Sequence, residues 1–563
     1  MVLNLHFSTI PAHTTSLPPR ILTARYRTSR RISCALTTQS SDLTVDRRTA
    51  NYAPTVANND FIQSLSSNFE GEKYRSRVGE LTDYTKRLLE SEKDQVTLLQ
   101  LVDTLERFGL GYLFRDKING VLRAILSSYH GGTKTDLDLY STALLLRLSR
   151  QNGIMVEEDV FSRFMDEKGS FKASLCRDTK GNLSLYDASF LALEGEPILD
   201  EARAFSTKNL KDDLKGSLQE ELKNKVVHAL ESPFHWSVTS LEARWFIEAY
   251  GKSDDKNPKL LELAKLAYNM RQAQYQIELK PASRWWTNTT VPHKLSFSRD
   301  RLAECFLWGL AMTHLPEYGY TRFVLTQVSQ LITTIDDTYD LYGSIDELER
   351  FTDVIESANE VAYTSLKEQG WNIVPCLRKL WADLCKANQK EAKWYNEGYM
   401  PTLDEYIENA VMSASGSVIL GNAYFSMKAN ITDERLQSLV NLPEVFKWSS
   451  MILRLCDDLG TSMEEMSRGD VLKSIQCSMR DNGSTEDVAR QHIRNLIGDA
   501  WKKLNGDLIL ESPFPRDLVD AALGLGRMSH AYYYRGDDGF GGSRKETFDF
   551  FNKLLVQPIH LDH

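Results

Sequence analysis

Two acidic clusters carry the chemistry most visible in this sequence. The first is Leu331-Ile-Thr-Thr-Ile-Asp-Asp-Thr-Tyr-Asp340. On a helix, Asp336 and Asp340 are four apart and share a face, with Asp337 beside them. The apolar lead-in from Leu331 to Ile335 implies burial. Buried like charges repel, so a cation must hold them together. Hard oxygen ligands favour Mg²⁺ or Mn²⁺. In the second cluster, Leu453 to Glu465, residues Asp457, Thr461 and Glu465 step by four and four. A hydroxyl between two carboxylates can make a second divalent-cation site. Mg²⁺ usually takes one or two carboxylates plus phosphate oxygens, so two such sites facing each other suit a diphosphate.

Basic residues complete the pattern. Arg299 and Arg301 stand in Ser296-Phe-Ser-Arg-Asp-Arg301, Arg454 is three before Asp457, and Lys473 follows in Gly469-Asp-Val-Leu-Lys-Ser474. Arginines grip phosphate bidentately and stabilise a leaving diphosphate. For each, a salt bridge to the same carboxylates is the alternative use. A single DDxxD also occurs at solvated helix ends; the two clusters together, each after an apolar run, point to a metal-diphosphate site. Other chemistries lack their motifs: there is no GxGxxG, GxxxxGK, HExxH or GxSxG.

The elements that must position these residues read as helices. No proline occurs between Thr55 and Glu196, and proline-free stretches permit long helices. Leu88, Leu89, Leu98, Leu99, Leu101, Val102 and Leu105 group at intervals near three and four, as do Tyr140, Ala143, Leu144 and Leu148. No series of β-branched runs alternates with helices, so the expected fold class is all-α. At 563 residues the chain is too long for one ordinary core. The polar stretch Gly251 to Pro258 marks a boundary, giving an N-terminal helical domain over 47–255 and a C-terminal catalytic domain over 256–563. Arg535 to Ser543 holds four glycines in nine residues, a composition suited to a closing loop.

Residues 1–46 are expected to be a leader outside the fold. The first 41 contain five Arg, thirteen Ser or Thr, and no Asp, Glu or Lys, the composition of an organelle transit peptide. A disordered basic tail is the alternative, and also lies outside the core. The net charge of −10 gives no basic surplus for a nucleic-acid partner. No apolar run reaches the length of a membrane span. The seven cysteines are scattered without a CxxC pair, which argues against a disulfide framework.

The motifs resemble those of plant class I terpene synthases, most closely the plastidial monoterpene synthase group. Asp336-Asp337-Thr-Tyr-Asp340 looks like the family's DDxxD. Asp457 to Glu465 looks like its second metal motif, (N/D)Dxx(S/T)xxxE, and Arg299-Asp-Arg301 looks like its RxR element. Arg284-Trp-Trp286, Arg468-Gly-Asp470 and Ser474-Ile-Gln-Cys477 are similar too. The likeness runs from Arg47 to about Leu555.

That resemblance implies an N-terminal helical barrel-like domain without chemistry and a C-terminal class I bundle. It implies three divalent ions, Mg²⁺ or Mn²⁺, on Asp336, Asp340, Asp457, Thr461 and Glu465. Asp336, Asp337, Asp340 and Tyr534 would be catalytic. Arg299, Arg301, Arg454 and Lys473 would hold the diphosphate. Trp285, Trp286 and Trp308, with Tyr534, would wall the pocket, core packing being the alternative for each. The implied reaction is ionisation of geranyl diphosphate to a C10 hydrocarbon or alcohol by a monomer in the chloroplast stroma. A sesquiterpene synthase on farnesyl diphosphate, or a non-catalytic paralogue, are the rival readings.

Two departures from the family stand out. The family's RRx₈W begins at Arg47-Arg48, but position 57 is Ala. That segment is linked to isomerisation before cyclisation, so its loss weighs against a cyclic product. After Glu356 the chain passes directly to Ser357-Ala-Asn-Glu. By comparison about 25 residues are missing, one helix of about 35 Å.

Overall fold

The proline-free stretches fold as expected. Helices span Glu72–Ser91, Gln95–Arg107, Arg115–His130 and Leu139–Gln151. Their apolar stripes are the ones read from the sequence: Leu99, Val102, Leu105, Ala143 and Leu148 are fully buried. The computed structural model describes residues 47, 52–130, 137–357, 372–427, 431–467, 471–510, 512–534 and 544–561. The side chains at 129–130, 463–467, 534 and 544 lie outside that set. So do the leader over 1–46, Arg48, the glycine-rich 535–543 stretch and the segment 358–371 beyond the Glu356–Ser357 junction. Among the described residues there is no strand, only an isolated bridge between Met165 and Phe171.

Two large apolar cores are built by the described residues. The Pro258–Asn288 helix belongs to both. It starts cleanly: Pro258 occupies its first turn, and the Asn257 side chain accepts from the Lys259 and Leu260 amides at 3.0 and 3.3 Å. Its first half, through Tyr268, packs into the N-terminal core. Tyr275 and Leu279, further along, pack into the C-terminal core. The polar Gly251–Asn257 turn therefore precedes a helix that joins the two cores. Early residues also cross over: Ala57, Ile62 and Leu65 sit in the C-terminal core.

The chain's end ties back to the same helix. The Ile559 amide donates to Asn269 Oδ1 at 2.7 Å, and Asn269 Nδ2 donates to the Ile559 carbonyl at 2.8 Å. Gln276 Nε2 donates to the Leu555 carbonyl. Satisfying these buried backbone groups fixes the terminal segment against the helix.

Candidate active site

The Gly319–Asp337 helix delivers the first acidic motif. It does not continue straight through Asp340. At Thr338 it widens into a π-turn over Thr338–Tyr342. Such turns shift side-chain register and recur at functional sites. Asp336 is half-buried, Asp337 is 1% exposed and Asp340 is exposed. The expectation that Asp336 and Asp340 share one regular helical face is thus modified: the π-turn places Asp340 at the surface, one register away.

Asp337 faces inward to the RxR segment. Its Oδ2 accepts from the Arg299 amide at 2.7 Å, and its Oδ1 lies 2.8 Å from Arg299 Nε as an ion pair. Gln330, fully buried on the motif helix, completes the clamp. Its Nε2 donates to the Arg299 carbonyl at 3.0 Å, and its Oε1 accepts from the Arg301 amide at 2.8 Å. Gln330 was not among the residues singled out in the sequence. Its position almost two turns before Asp336, on the buried side, is the signal that was there. Arg301 is 3% exposed, and burial pushes its guanidinium below the ordinary range. Arg301 donates through Nη1 to the Asp300 carbonyl and lies beside Glu304.

The Glu444–Ser467 helix carries the second motif. Thr461 is buried, and its hydroxyl donates to the Asp457 carbonyl at 2.9 Å. The Glu465 side chain lies outside the described residues. Arg454 Nη2 is 2.7 Å from Asp457 Oδ2 and 2.6 Å from Asp458 Oδ1. Asp458 is fully buried and also accepts from the Tyr406 hydroxyl at 3.0 Å and the Ser474 amide at 3.1 Å. Lys473 precedes that amide and is 4% exposed. The second carboxylate of each motif thus points into the protein and binds an arginine. Asp336 and Asp457 keep the outward positions.

The two motifs lie close enough to feel each other. Burial pushes the Asp336 carboxyl up to about 7. Arg299 and Arg454 oppose that rise, while Asp337 and Asp457 add to it. This balance is what a cation would change. The donor set of carboxylates and a hydroxyl fits a hard divalent ion. Among the described residues no three acidic, His or Cys groups gather into a closed cage. Ligands on two separate helices instead leave coordination positions for substrate oxygens.

An aromatic wall adjoins the second motif. A Cβ at Gly460 would meet the Tyr533 carbonyl oxygen at 2.9 Å, so glycine lets the helix approach the His530–Tyr534 π-turn. The Trp308 ring sits 5.4 Å from Tyr532 and 6.2 Å from Tyr533. Tyr532 and Tyr533 were overlooked in favour of Tyr534, whose side chain is outside the described residues. The Tyr-Tyr-Tyr run was their signal. Trp285 and Trp286 are not part of this wall. They pack with Val291, Leu295 and Leu302 in a small separate cluster, because they end the Pro258–Asn288 helix beyond the main core.

The N-terminal strap crosses the same region. Arg47 donates to the Tyr342 carbonyl at 2.9 Å and pairs with Glu347 at 2.9 Å. The Arg299 guanidinium lies 4.6 Å from the Tyr52 ring centre. Thr55 and the Val56 amide both donate to buried Glu304. Ala57 is 6% exposed and packed in the main core.

The family model described as "Terpene synthase, N-terminal domain" matches residues 53–230. "Terpene synthase family, metal binding domain" matches 287–366 and again 354–503, and the two matches meet where the chain passes from Glu356 to Ser357. The chain is 48% identical to a (−)-α-terpineol synthase of Vitis vinifera over 91% of each chain. It is 45% identical to a chloroplastic α-thujene synthase of Litsea cubeba over 96% of this chain and 97% of that one. Among solved structures, a limonene synthase with 2-fluorolinalyl diphosphate aligns with a TM-score of 0.87 and 39% identity, over 91% of this chain and all of that one. An isoprene synthase from grey poplar, with three Mg²⁺ ions and dimethylallyl-S-thiolodiphosphate, aligns at 0.82 and 39%, over 89% and 99%.

Proposed function

From the chain's membership of the terpene synthase family, we propose that it is a monoterpene synthase, a carbon–oxygen lyase that ionises geranyl diphosphate to a C10 hydrocarbon or alcohol. One observation carries this reading: two acidic motifs, each backed by an arginine, stand within electrostatic reach of each other beside an aromatic wall.

Asp336 and Asp340 on one side, and Asp457, Thr461 and Glu465 on the other, would hold three divalent ions, Mg²⁺ or Mn²⁺. When bound, such ions draw charge from the leaving diphosphate. Arg299, Arg454 and Lys473 orient the diphosphate from the protein side. Asp337 and Asp458 hold the two arginines in place. With Asp336 pushed up to about 7, its carboxyl needs positive charge nearby to stay ionised at neutral pH. Trp308, Tyr532 and Tyr533 present ring faces that stabilise an allylic cation by about 0.5–2 kcal/mol each. The three rings are themselves buried, and such a water-poor surrounding protects a cation from quenching.

Among the described residues no helix is long and apolar enough to cross a membrane. The chloroplastic names of relatives such as the Litsea cubeba synthase and the leader's composition support a plastid site of action; the stroma and a monomeric state belong to the same proposal.

To test the reading, protein lacking residues 1–46 is incubated with geranyl or farnesyl diphosphate and Mg²⁺, and volatiles are analysed. A C10 product lost on chelation and in Asp336→Ala is expected. A folded protein that makes no terpene from either substrate would overturn it; products from farnesyl diphosphate alone would assign the C15 reading. A second reading is a non-catalytic scaffold, favoured by the splitting of the metal-binding family match into two pieces that overlap over 354–366. Diphosphate binding without turnover is its signature.

A further inference from the structure

A cavity of about 500 Å³ lies between the two cores, away from the acidic motifs. It is walled by the end of the Gln95–Arg107 helix, the start of Arg115–His130, the Phe234–Trp236 turn, the end of the Leu302–Met312 helix and the Arg516–Ser529 helix. The proposed reaction uses none of these residues.

Three basic side chains in this wall have spare hydrogen-bonding capacity. Arg527 is half-buried, and its Nε donates to the His235 carbonyl at 2.9 Å. No carboxylate among the described residues lies within ion-pair distance of it, and burial pushes its guanidinium down to about 10. Arg115, exposed at the cavity wall, likewise has no ion pair among the described residues. The half-buried His314 ring has no hydrogen-bond partner there either. Burial, then the guanidinium groups of Arg271, Arg527, Arg322 and Arg115, push it down to about 3. A guanidinium left buried without a counter-charge is costly, and an oxyanion is its best partner.

A fourth group, His235, backs this wall from the buried side. His235 is 1% exposed, and its Nε2 is 2.8 Å from Asn505 Oδ1. Asn505 Nδ2 already donates to the Phe190 and Ala192 carbonyls, so Oδ1 must accept and Nε2 must carry the proton. The opposite nitrogen, Nδ1, is then an acceptor buried without a partner.

The cavity's acids are mostly engaged. Glu242 meets His228 and Arg107, Asp520 pairs with Arg516, and Asp517 accepts from Tyr318. Asp507 takes the Ser512 hydroxyl, and burial pushes it up to about 6. Glu106, bonded to Asn152, is also pushed up by burial. None of these acids forms a close ion pair with Arg527 or Arg115, although Asp520 acts on Arg527 and Glu106 on Arg115 through space.

We propose that this inter-domain cavity is a second, non-catalytic oxyanion site, which takes a phosphate or diphosphate group on Arg527, Arg115 and His314. The group could be a free ion or the headgroup of a prenyl diphosphate. The latter source rests on the proposed function; the site itself does not.

The test is calorimetric titration of the full chain with inorganic phosphate, diphosphate and geranyl diphosphate in EDTA, where metal-dependent binding is suppressed. Saturable binding is expected, with a melting temperature that rises with ligand. Arg115→Gln, at an exposed position, and Arg527→Gln should each weaken it at least about tenfold. Arg454→Gln should leave it unchanged. Geranyl diphosphate binding tighter than diphosphate assigns the headgroup; equal or weaker binding assigns the free ion. No binding of any of the three, binding unchanged in Arg115→Gln, or binding lost in Arg454→Gln would overturn the proposal. Terpene formation is not read, so failure here is separate from failure of the proposed function.

Discussion

Asp337 holds Arg299 at two points, its Oδ2 on the backbone amide at 2.7 Å and its Oδ1 by the Nε at 2.8 Å. The middle carboxylate of the first motif is therefore a structural partner of the RxR arginine. Asp337→Asn should free Arg299 from its alignment while leaving Asp336 and Asp340 in place. A drop in kcat of about 10²–10³ is expected, with Mg²⁺ affinity little changed. Steady-state kinetics across a Mg²⁺ series checks this; a loss confined to Mg²⁺ affinity would show that Asp337 is a ligand instead.

The second motif predicts a split between neighbours. Asp458 is fully buried and joins Arg454, Tyr406 and Ser474. Asp458→Asn should cost about 3–5 kcal/mol of stability, since it strands a paired arginine. Asp457, which is 20% exposed, should lose metal dependence and turnover on Asp457→Asn at little cost in stability. Chemical denaturation beside activity assays separates the two.

Stability should fall on acidification below about 6.5. Burial holds His235, His314 and His530 down to about 3, from an ordinary value of 6.5. Above 6.5 both folded and unfolded states keep these rings neutral. Between 6.5 and 3 only the unfolded state takes up the protons, so each ring costs up to about 1.4 kcal/mol per pH unit. His530 accepts from Trp501 Nε1 at 2.7 Å and stacks on Trp236. His530→Gln should flatten the fall in melting temperature between pH 7 and 5. An unchanged slope would exclude His530 as a contributor.

Gly460→Ala tests the packing that brings the aromatic wall to the second motif. Its Cβ would meet the Tyr533 carbonyl oxygen at 2.9 Å and Tyr533 Cα at 3.3 Å. Both are backbone atoms, so the two helices must part. A loss of about 1–3 kcal/mol is expected, with altered product distribution as Tyr533 and Trp308 shift. Unchanged stability and products would show that the wall tolerates the displacement.

Arg47→Ala should leave stability within about 1 kcal/mol, because its pair with Glu347 is largely solvent-accessible. It should nonetheless lower kcat, since the strap loses its hold on the Tyr342 carbonyl. Turnover equal to that of the parent would mean that the latch is dispensable.

The sequence by itself determined the helical class, the apolar stripes and both acidic motifs, because each depends on spacing within one element. Leu99, Val102 and Leu105 are buried for the reason their intervals gave. Spacing could not reveal the π-turn that carries Asp340 outward, since that change of register follows from packing. Nor could it show which carboxylate of each pair turns inward. Asp337 and Asp458 do so because Arg299 and Tyr406 arrive from other segments of the chain, while Arg454 meets Asp458 from one turn earlier on the same helix. Trp285 and Trp286 fell outside the wall, and Tyr532 and Tyr533 within it, for the same reason. A side chain's neighbours across a fold are set by how helices cross. Only the tertiary structure holds that information.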